Sequence, residues 1–151
     1  ENLPKNPESY NALFELSQHL LDPIIDYFGP IELTFGFCSP ELAKQIPGRI
    51  APKLDQHAAH ELNRNNKIIC PRLGAAVDFI VEDEDMFEVA KWISYSLEFD
   101  RMYLYGKKQP IHISFGPEMN NQITLMKKNK DETRLMPRVI NKNQIPINNP
   151  I

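Results

Sequence analysis

The sequence lacks three features that would each assign it to a class of protein. It holds only two cysteines among 151 residues, Cys38 and Cys70, which are too few for a disulfide framework. They could form one bridge, although two buried thiols are the preferred interpretation, because free cysteine packs like a small apolar residue. No apolar run approaches the length of a membrane span. Basic residues are not in excess, since the formal net charge is −3, which argues against a dedicated nucleic-acid-binding surface.

The remaining composition is that of a soluble globular protein. The length suits one domain with a sizeable core, and the hydrophobic fraction of 42% and charged fraction of 25% are ordinary for such a domain. The chain begins at Glu1 rather than at a methionine, so we expect a fragment or a processed form that associates with the rest of a longer chain. We expect no membrane partner, and the cytoplasm is the favoured compartment.

Apolar side chains at helical spacing predict two long helices, over residues 9–28 and 86–97. Pro23 is the candidate position of a kink in the first of them. The segment Ser39-Pro40-Glu41 predicts the start of a short helix, because serine is a good N-cap, proline suits the first helical position and an acid suits the first turn.

Alternation of apolar and polar residues predicts five strands, over residues 31–37, 75–81, 102–105, 111–115 and 122–126, with the last at the edge of the sheet. The third and fourth strands form a hairpin around Gly106. Because strands and helices do not alternate regularly, the sequence predicts an α+β fold with a central antiparallel sheet and flanking helices. We expect one domain over residues 1–128 and a polar tail, rich in proline and asparagine, over residues 129–151.

Three polar residues lie in apolar surroundings: His57, Asp78 and His112. Asp78 and His112 each interrupt a stretch that is otherwise typical of a buried strand. An unpaired carboxylate there would be costly, or its pKa would shift until the group became neutral. A divalent metal removes this penalty, because it pairs with the carboxylate and accepts the lone pairs of the imidazoles. Two histidines and one carboxylate, with a fourth position left for water, are the usual ligands of a catalytic zinc site.

Three short segments extend this pattern. Residues 33–42 are a strand and turn before a helix, Asp55-Gln56-His57 precedes Gly74-Ala75-Ala76-Val77-Asp78, and residues 111–116 carry His112. In this order they resemble the hedgehog-fold zinc peptidases, the family of zinc D-alanyl-D-alanine carboxypeptidases and dipeptidases. The middle segment is similar to the family signature Ser-x-His-x-x-Gly-x-Ala-x-Asp.

The resemblance implies a hedgehog-like fold with zinc held between His57, Asp78 and His112. It also implies a metallohydrolase that acts on a peptide or amide bond of a peptide-like or small-molecule substrate. Such a zinc polarises the carbonyl and lowers the pKa of its bound water to about 7. In this family a neighbouring carboxylate normally acts as the general base.

The sequence departs from the family pattern at three places. A segment over residues 58–73 separates the histidine from the aspartate, and Pro71 stands where the compact motif has histidine. Gln109 occupies the position of the family's general base, three residues before the last histidine, and an amide cannot take a proton from water. Cys38 stands where the family has an arginine that stabilises the developing oxyanion. Losing either helper costs on the order of 10²-fold in rate.

Several roles stay open from the sequence. Residues 54–62 are predicted as a helical turn, so His60 could replace His57 as the ligand or, with Glu61, supply the missing proton transfer. The candidate catalytic residues are therefore His60, Gln109 and Cys38. Asp100 matches a Phe-Asp step of the family, which would support a zinc-ligating histidine, with a loop or cap role as the alternative. Arg72 and Arg101 could bind an anionic substrate or form surface ion pairs.

Three functions are compatible with these residues. The leading hypothesis is a zinc-dependent hydrolase domain of the D-alanyl-D-alanine carboxypeptidase type. The second is a catalytically impaired binding or interaction domain that keeps the zinc site, which Gln109 and Cys38 favour. The third is a part of a larger protein that acts on nucleotides or nucleic acid.

Overall fold

The computed structural model describes residues 1–48 and 50–147. The first helical segment consists of α1 (Pro7–Leu16), a π-helical turn (Ser17–Leu21) and α2 (Asp22–Phe28). It begins two residues before the predicted start, because the Asn6 side chain accepts a hydrogen bond from the Glu8 N–H and Pro7 occupies the first turn. The π-helical turn ends two residues before Pro23, which lacks the N–H that a regular α-helical bond would need.

Two further α-helices follow along the chain, a short one, α3 (Pro40–Ala43), and a longer one, α4 (Met86–Ser96). Ser39 caps α3 as predicted, and Asp85 caps α4 by accepting a hydrogen bond from the Phe87 N–H. The predicted helical turn over residues 54–62 is instead two 3₁₀ turns, Pro52–Leu54 and Gln56–Ala58. Among the described residues, no helix has both the length and the apolar character needed to cross a membrane.

The strands are β1 (Glu32–Phe35), β2 (Ala75–Ile80), β3 (Arg101–Leu104), β4 (Ile111–Phe115), β5 (Gln122–Lys128) and β6 (Leu135–Ile140). They form one open sheet in the order β1-β2-β4-β3-β5-β6. The predicted hairpin is present as the antiparallel pair β3 and β4. The sheet is mixed rather than wholly antiparallel, because β3 pairs with β5 in parallel.

The structure differs from the prediction beyond residue 128. β6 pairs antiparallel with β5 over Leu135–Ile140, so a strand lies where a tail was expected and β5 is internal. All residues of β6 except Ile140 are partly or fully exposed, and the strand contains Pro137 and Arg138. Such a composition suits an edge strand, which explains why the apolar alternation used for prediction is missing.

The two faces of the sheet have different roles. One face, the core face, packs against the helices through buried apolar side chains, including Val77, Phe79, Met102, Leu104, Ile111, Ile113, Ile123 and Leu125. The opposite face, the site face, carries the alternate residues of the same strands. Across it, Asp78 of β2 is opposite His112 of β4, which is opposite Tyr103 of β3. Cys38 and Cys70 are both buried and are not joined by a disulfide bond, which agrees with the interpretation preferred from the sequence.

Candidate metal centre

Three side chains from separate segments converge on the site face. His57 comes from the second 3₁₀ turn, Asp78 from β2 and His112 from β4. Asp78 Oδ1 lies 2.9 Å from His112 Nδ1 and 3.1 Å from His57 Nε2. One potential ligand atom from each of the three residues lies within 4.8 Å of the other two. This group could hold a metal ion.

The backbone around His57 fixes the direction of its ring. Asp55 caps the 3₁₀ turn by accepting a hydrogen bond of 3.0 Å from the His57 N–H. The Cys38 N–H donates to the carbonyl oxygen of His57 at 3.0 Å. On the ring itself, Nδ1 faces the carbonyl oxygen of Gly36 at 2.9 Å, which turns Nε2 towards Asp78.

The contacts of His57 fit a bound cation. Both ring nitrogens face oxygen acceptors, yet a neutral imidazole carries only one N–H. If Nδ1–H donates to Gly36, the lone pair on Nε2 faces the Asp78 carboxylate, which is repulsive unless a proton or a cation lies between them. Tetrahedral zinc with bonds of about 2.0–2.2 Å separates its ligand atoms by about 3.3–3.6 Å, whereas Asp78 Oδ1 lies 2.9 and 3.1 Å from the two nitrogens, so zinc would need these side chains to move slightly apart.

The protonation states in the cluster also suit a cation. Burial raises the pKa of Asp78, but hydrogen bonds with His112 and His57 outweigh it and hold that pKa well below its usual range. Burial lowers the pKa of His112, and the hydrogen bond with Asp78 opposes this only in part. An ionised carboxylate and a neutral imidazole are the forms that bind a divalent metal.

Aromatic rings enclose the two imidazoles. Phe35 lies edge-on to His57 with ring centroids 4.7 Å apart, and Tyr103 lies edge-on to His112 at 5.2 Å. Neither Phe35 nor Tyr103 was among the site residues predicted from the sequence. Tyr103 could have been found from the predicted hairpin, because the residue that faces His112 across that hairpin lies on the same face of the sheet.

His60 lies apart from the cluster. Its Nε2 accepts a hydrogen bond of 3.0 Å from the Gly74 N–H, and its ring lines a small cavity with residues of α1 and with Phe115. Burial lowers the pKa of His60, with an opposing effect from Glu8. Of the two alternative ligands proposed from the sequence, the structure brings His57 to Asp78 and His112.

The environment of Glu61 does not fit the proton-transfer role that the sequence suggested for it. Its buried carboxylate accepts hydrogen bonds from the Lys5 N–H at 2.8 Å, the Asn6 N–H at 3.1 Å and the Ser9 hydroxyl at 2.7 Å. These contacts attach residues 1–6, the N-terminal arm, and the start of α1 to the segment that follows His60.

Gln109 and Cys38, the other candidate catalytic residues, also lie outside the cluster of ligand atoms. Gln109 is exposed in the loop between β3 and β4, where its N–H donates to the carbonyl oxygen of Gly106. The thiol of Cys38 is buried and lies 3.7 Å from the carbonyl oxygen of Ser39. Cys38 contacts the site through the hydrogen bond that its N–H donates to the carbonyl oxygen of His57.

Asp100 supports the turn that carries His57, but it does so through Gln56. Its fully buried carboxylate accepts hydrogen bonds from Gln56 Nε2 at 2.9 Å and from Asn120 Nδ2 at 2.6 Å. The same Gln56 Nε2 donates to the carbonyl oxygen of Leu73 at 2.8 Å. Asp100 therefore fixes the residue that directly precedes His57.

The cluster is the only group of three or more metal-ligating side chains within residues 1–48 and 50–147. Its donor atoms, two imidazole nitrogens and one carboxylate oxygen, are those that zinc accepts. Comparison of the chain with protein-family models, with curated proteins and with solved structures found no match in any of the three.

Proposed function

We propose that the protein is a zinc-dependent hydrolase domain of the D-alanyl-D-alanine carboxypeptidase type, with a hedgehog-like fold, that acts on a peptide or amide bond. The observation that carries this proposal is the convergence of His57, Asp78 and His112, since one potential ligand atom of each lies within 4.8 Å of the other two. Two nitrogen donors and one oxygen donor favour zinc over magnesium or calcium, which prefer oxygen ligands alone.

The order of the elements supports the choice of family. β1 leads through a turn into α3, β2 carries the aspartate and β4 carries the last histidine. The family resemblance predicts the strand and turn before a helix, the aspartate and the last histidine in these same elements. Residues 58–73 leave the sheet between His57 and β2, so the two ligands meet in space although the compact motif is interrupted in sequence.

The residues of this chain have distinct roles in such a reaction. His57, Asp78 and His112 would hold the metal, Gly36 orients the His57 ring, and Asp100 with Gln56 fixes the turn. When bound, zinc supplies Lewis-acid chemistry, polarising a carbonyl and acidifying water. The Asp78 side chain is 31% exposed, against 6% for His57 and 13% for His112, so substrate would approach from the side of the carboxylate.

A second candidate function follows from the missing proton acceptor. Gln109 is an exposed amide, and in the described part of the chain no carboxylate other than Asp78 belongs to the ligand cluster. Without a general base the rate would fall by about 10²- to 10⁴-fold. The same geometry would then serve a binding or interaction domain that retains zinc.

Metal analysis of the purified protein tests the zinc site. The wild type is expected to bind one zinc per chain, and Asp78→Asn and His112→Ala to lose this zinc. His19→Ala is the matched control, because His19 lies on an exposed helix face beside Glu15. A wild type that binds no stoichiometric zinc would contradict the proposal.

A hydrolysis assay separates the two candidate functions. Zinc-loaded protein would be incubated with a panel of dipeptides and short peptides, including peptides that end in D-alanyl-D-alanine. Turnover that disappears with chelator, returns with zinc and is absent in His112→Ala supports the hydrolase. Stoichiometric zinc with no turnover on any substrate would favour the binding domain.

A further inference from the structure

Arg72 is a partly buried cation that the proposed reaction does not yet use. Its Nη1 donates to the carbonyl oxygen of Leu54 at 3.2 Å and to the hydroxyl of Tyr103 at 3.4 Å. Within residues 1–48 and 50–147, no carboxylate lies within ion-pairing distance of its guanidinium. Both contacts are to neutral oxygen atoms, so they orient the guanidinium without neutralising its charge.

Tyr103 connects this guanidinium to the candidate metal centre. Its ring lies edge-on to His112 with centroids 5.2 Å apart, while its hydroxyl oxygen accepts from Arg72. The hydroxyl keeps its own hydrogen for a further acceptor, and no such acceptor is found among the described residues.

The charge of the loaded site favours an anionic ligand. A divalent cation held by one carboxylate and two neutral imidazoles leaves a net charge of about +1, to which Arg72 adds a second positive charge. Among the described residues Asp78 makes no ion pair with Arg72, and its Oδ1 faces His57 and His112 instead. A planar guanidinium with free N–H groups beside a hydroxyl donor matches two oxygen atoms of a carboxylate or phosphate.

We propose that Arg72 and Tyr103 form an anion subsite beside the metal centre, which binds a carboxylate or phosphate group of the ligand. The subsite rests on the proposed function insofar as its ligand also reaches the metal. Arg72 contributes charge and two-point hydrogen bonding, and Tyr103 contributes its hydroxyl hydrogen. The subsite selects ligands that carry an oxyanion close to the atom that faces the metal.

Anion binding to metal-loaded protein tests the subsite without an activity assay. Acetate and inorganic phosphate would be titrated separately into cobalt-loaded protein, with binding followed by calorimetry and by the visible absorption of the cobalt. The two titrations distinguish a carboxylate subsite from a phosphate subsite. Metal content and melting temperature would be measured on the same samples, so that a loss of fold or metal is recognised directly.

Variants at Arg72 and Tyr103 give the decisive comparison. Arg72→Gln is expected to weaken anion binding about tenfold or more while one metal per chain is retained. Arg72→Lys should have an intermediate effect, because it keeps the charge and loses the planar group. Tyr103→Phe should weaken binding severalfold. Arg64→Gln is the control with the same loss of charge, since Arg64 is exposed in the loop before β2, and it should bind like the wild type.

The possible failures are distinguishable. Equal anion affinity in wild type and Arg72→Gln would overturn the subsite, as would an equal loss in Arg64→Gln. If Arg72→Gln does not fold, the anion affinities of Arg72→Lys and Tyr103→Phe are compared with that of the wild type. Affinities equal to the wild type in both variants would overturn the subsite. A wild type that binds no metal would overturn the proposed function, and the metal analysis alone would reveal it.

Discussion

His57 Nδ1 lies 2.9 Å from the carbonyl oxygen of Gly36, which is the residue that directly follows β1. A carbonyl oxygen only accepts hydrogen bonds, so with a cation bound at Nε2 the imidazole proton would lie on Nδ1 and be donated to Gly36. The residue after β1 thereby orients the ring of a candidate metal ligand that lies 21 residues later in the chain, in a 3₁₀ turn.

The two histidines are predicted to bind metal through different nitrogens. His57 faces Asp78 through Nε2, whereas His112 faces it through Nδ1. In zinc-loaded protein, His57 should therefore be protonated on Nδ1 and His112 on Nε2. Long-range ¹H–¹⁵N correlation spectra report the protonated nitrogen of each ring. Identical tautomers for the two residues would contradict the geometry of the site.

Asp100→Asn is predicted to weaken both the fold and zinc binding. The carboxylate accepts from Gln56 and Asn120, and an amide at this position would present N–H groups to one of these donors. Gln56 cannot turn its amide to compensate without losing its bond to Leu73. We expect a loss of about 2–3 kcal/mol in the free energy of unfolding and about tenfold weaker zinc binding.

Zinc titration and chemical denaturation measure these two effects of Asp100→Asn. Asp26→Asn is the control, because Asp26 is exposed on α2 and makes the same change of charge. If Asp100→Asn lowered stability but left zinc affinity unchanged, Asp100 would support the fold without positioning His57.

The elements that could be predicted from sequence are those with a local signal. α4 and α3 were recognised from periodicity and caps, and the β3–β4 hairpin from alternation around a short loop. The ligand cluster was predictable because polar residues in buried strands need a partner. His57 was separable from His60 only by three-dimensional contacts, since the two lie three residues apart and the 3₁₀ turns direct them to different neighbours.

The remaining features depend on contacts between distant segments. β6 carries the composition of an edge strand, so its pairing with β5 has no apolar pattern in the sequence. The parallel pair of β3 and β5 follows from the order of strands in the sheet, which local periodicity does not determine. Asp100 was predicted either to support a zinc-ligating histidine or to act in a loop or cap, and the structure connects it to the His57 turn through Gln56.

Gly74→Ala is predicted to destabilise the fold strongly. A Cβ at this position would lie 2.0 Å from the carbonyl oxygen of Phe115 and 2.5 Å from Gly116 Cα, and φ is +76°. Backbone strain and overpacking against β4 together should lower the free energy of unfolding by about 3 kcal/mol or more. Gly29→Ala is the matched control in chemical denaturation, because φ is +87° there and no atom lies within 4 Å of the added Cβ. The Gly29 backbone at φ +87° and ψ −161° lies in a region that is almost confined to glycine, so Gly29→Ala should lose about 1–3 kcal/mol from strain alone, less than Gly74→Ala.

Glu61→Gln is predicted to release the N-terminal arm. The three donors on this carboxylate come from Lys5, Asn6 and Ser9, and the amide nitrogen of glutamine would face at least one of them. We expect a loss of about 2 kcal/mol and faster hydrogen exchange at the amides of Lys5 and Asn6. Glu41→Gln, at an exposed glutamate that pairs with Lys5, is the control and should change neither quantity appreciably. Unchanged exchange in Glu61→Gln would show that the arm is held by other contacts.

His60 is predicted to make stability depend on pH. Its pKa in the folded protein is lowered by burial, and its Nε2 must stay unprotonated to accept from Gly74. The unfolded chain, with a histidine pKa of about 6.5, therefore binds more protons as the pH falls through this range. The contribution of His60 to stability is complete above the unfolded pKa and is lost on acidification towards pH 5.

His60→Gln isolates this effect, because glutamine offers an oxygen acceptor to Gly74 but does not titrate. Free energies of unfolding would be measured by denaturation between pH 8 and pH 5 with a chelator present, so that metal release does not contribute. The stability advantage of wild type over His60→Gln should be greatest near pH 8 and should shrink as the pH falls. Parallel curves for the two proteins over the whole range would mean that the His60 ring is equally protonated in the folded and unfolded states.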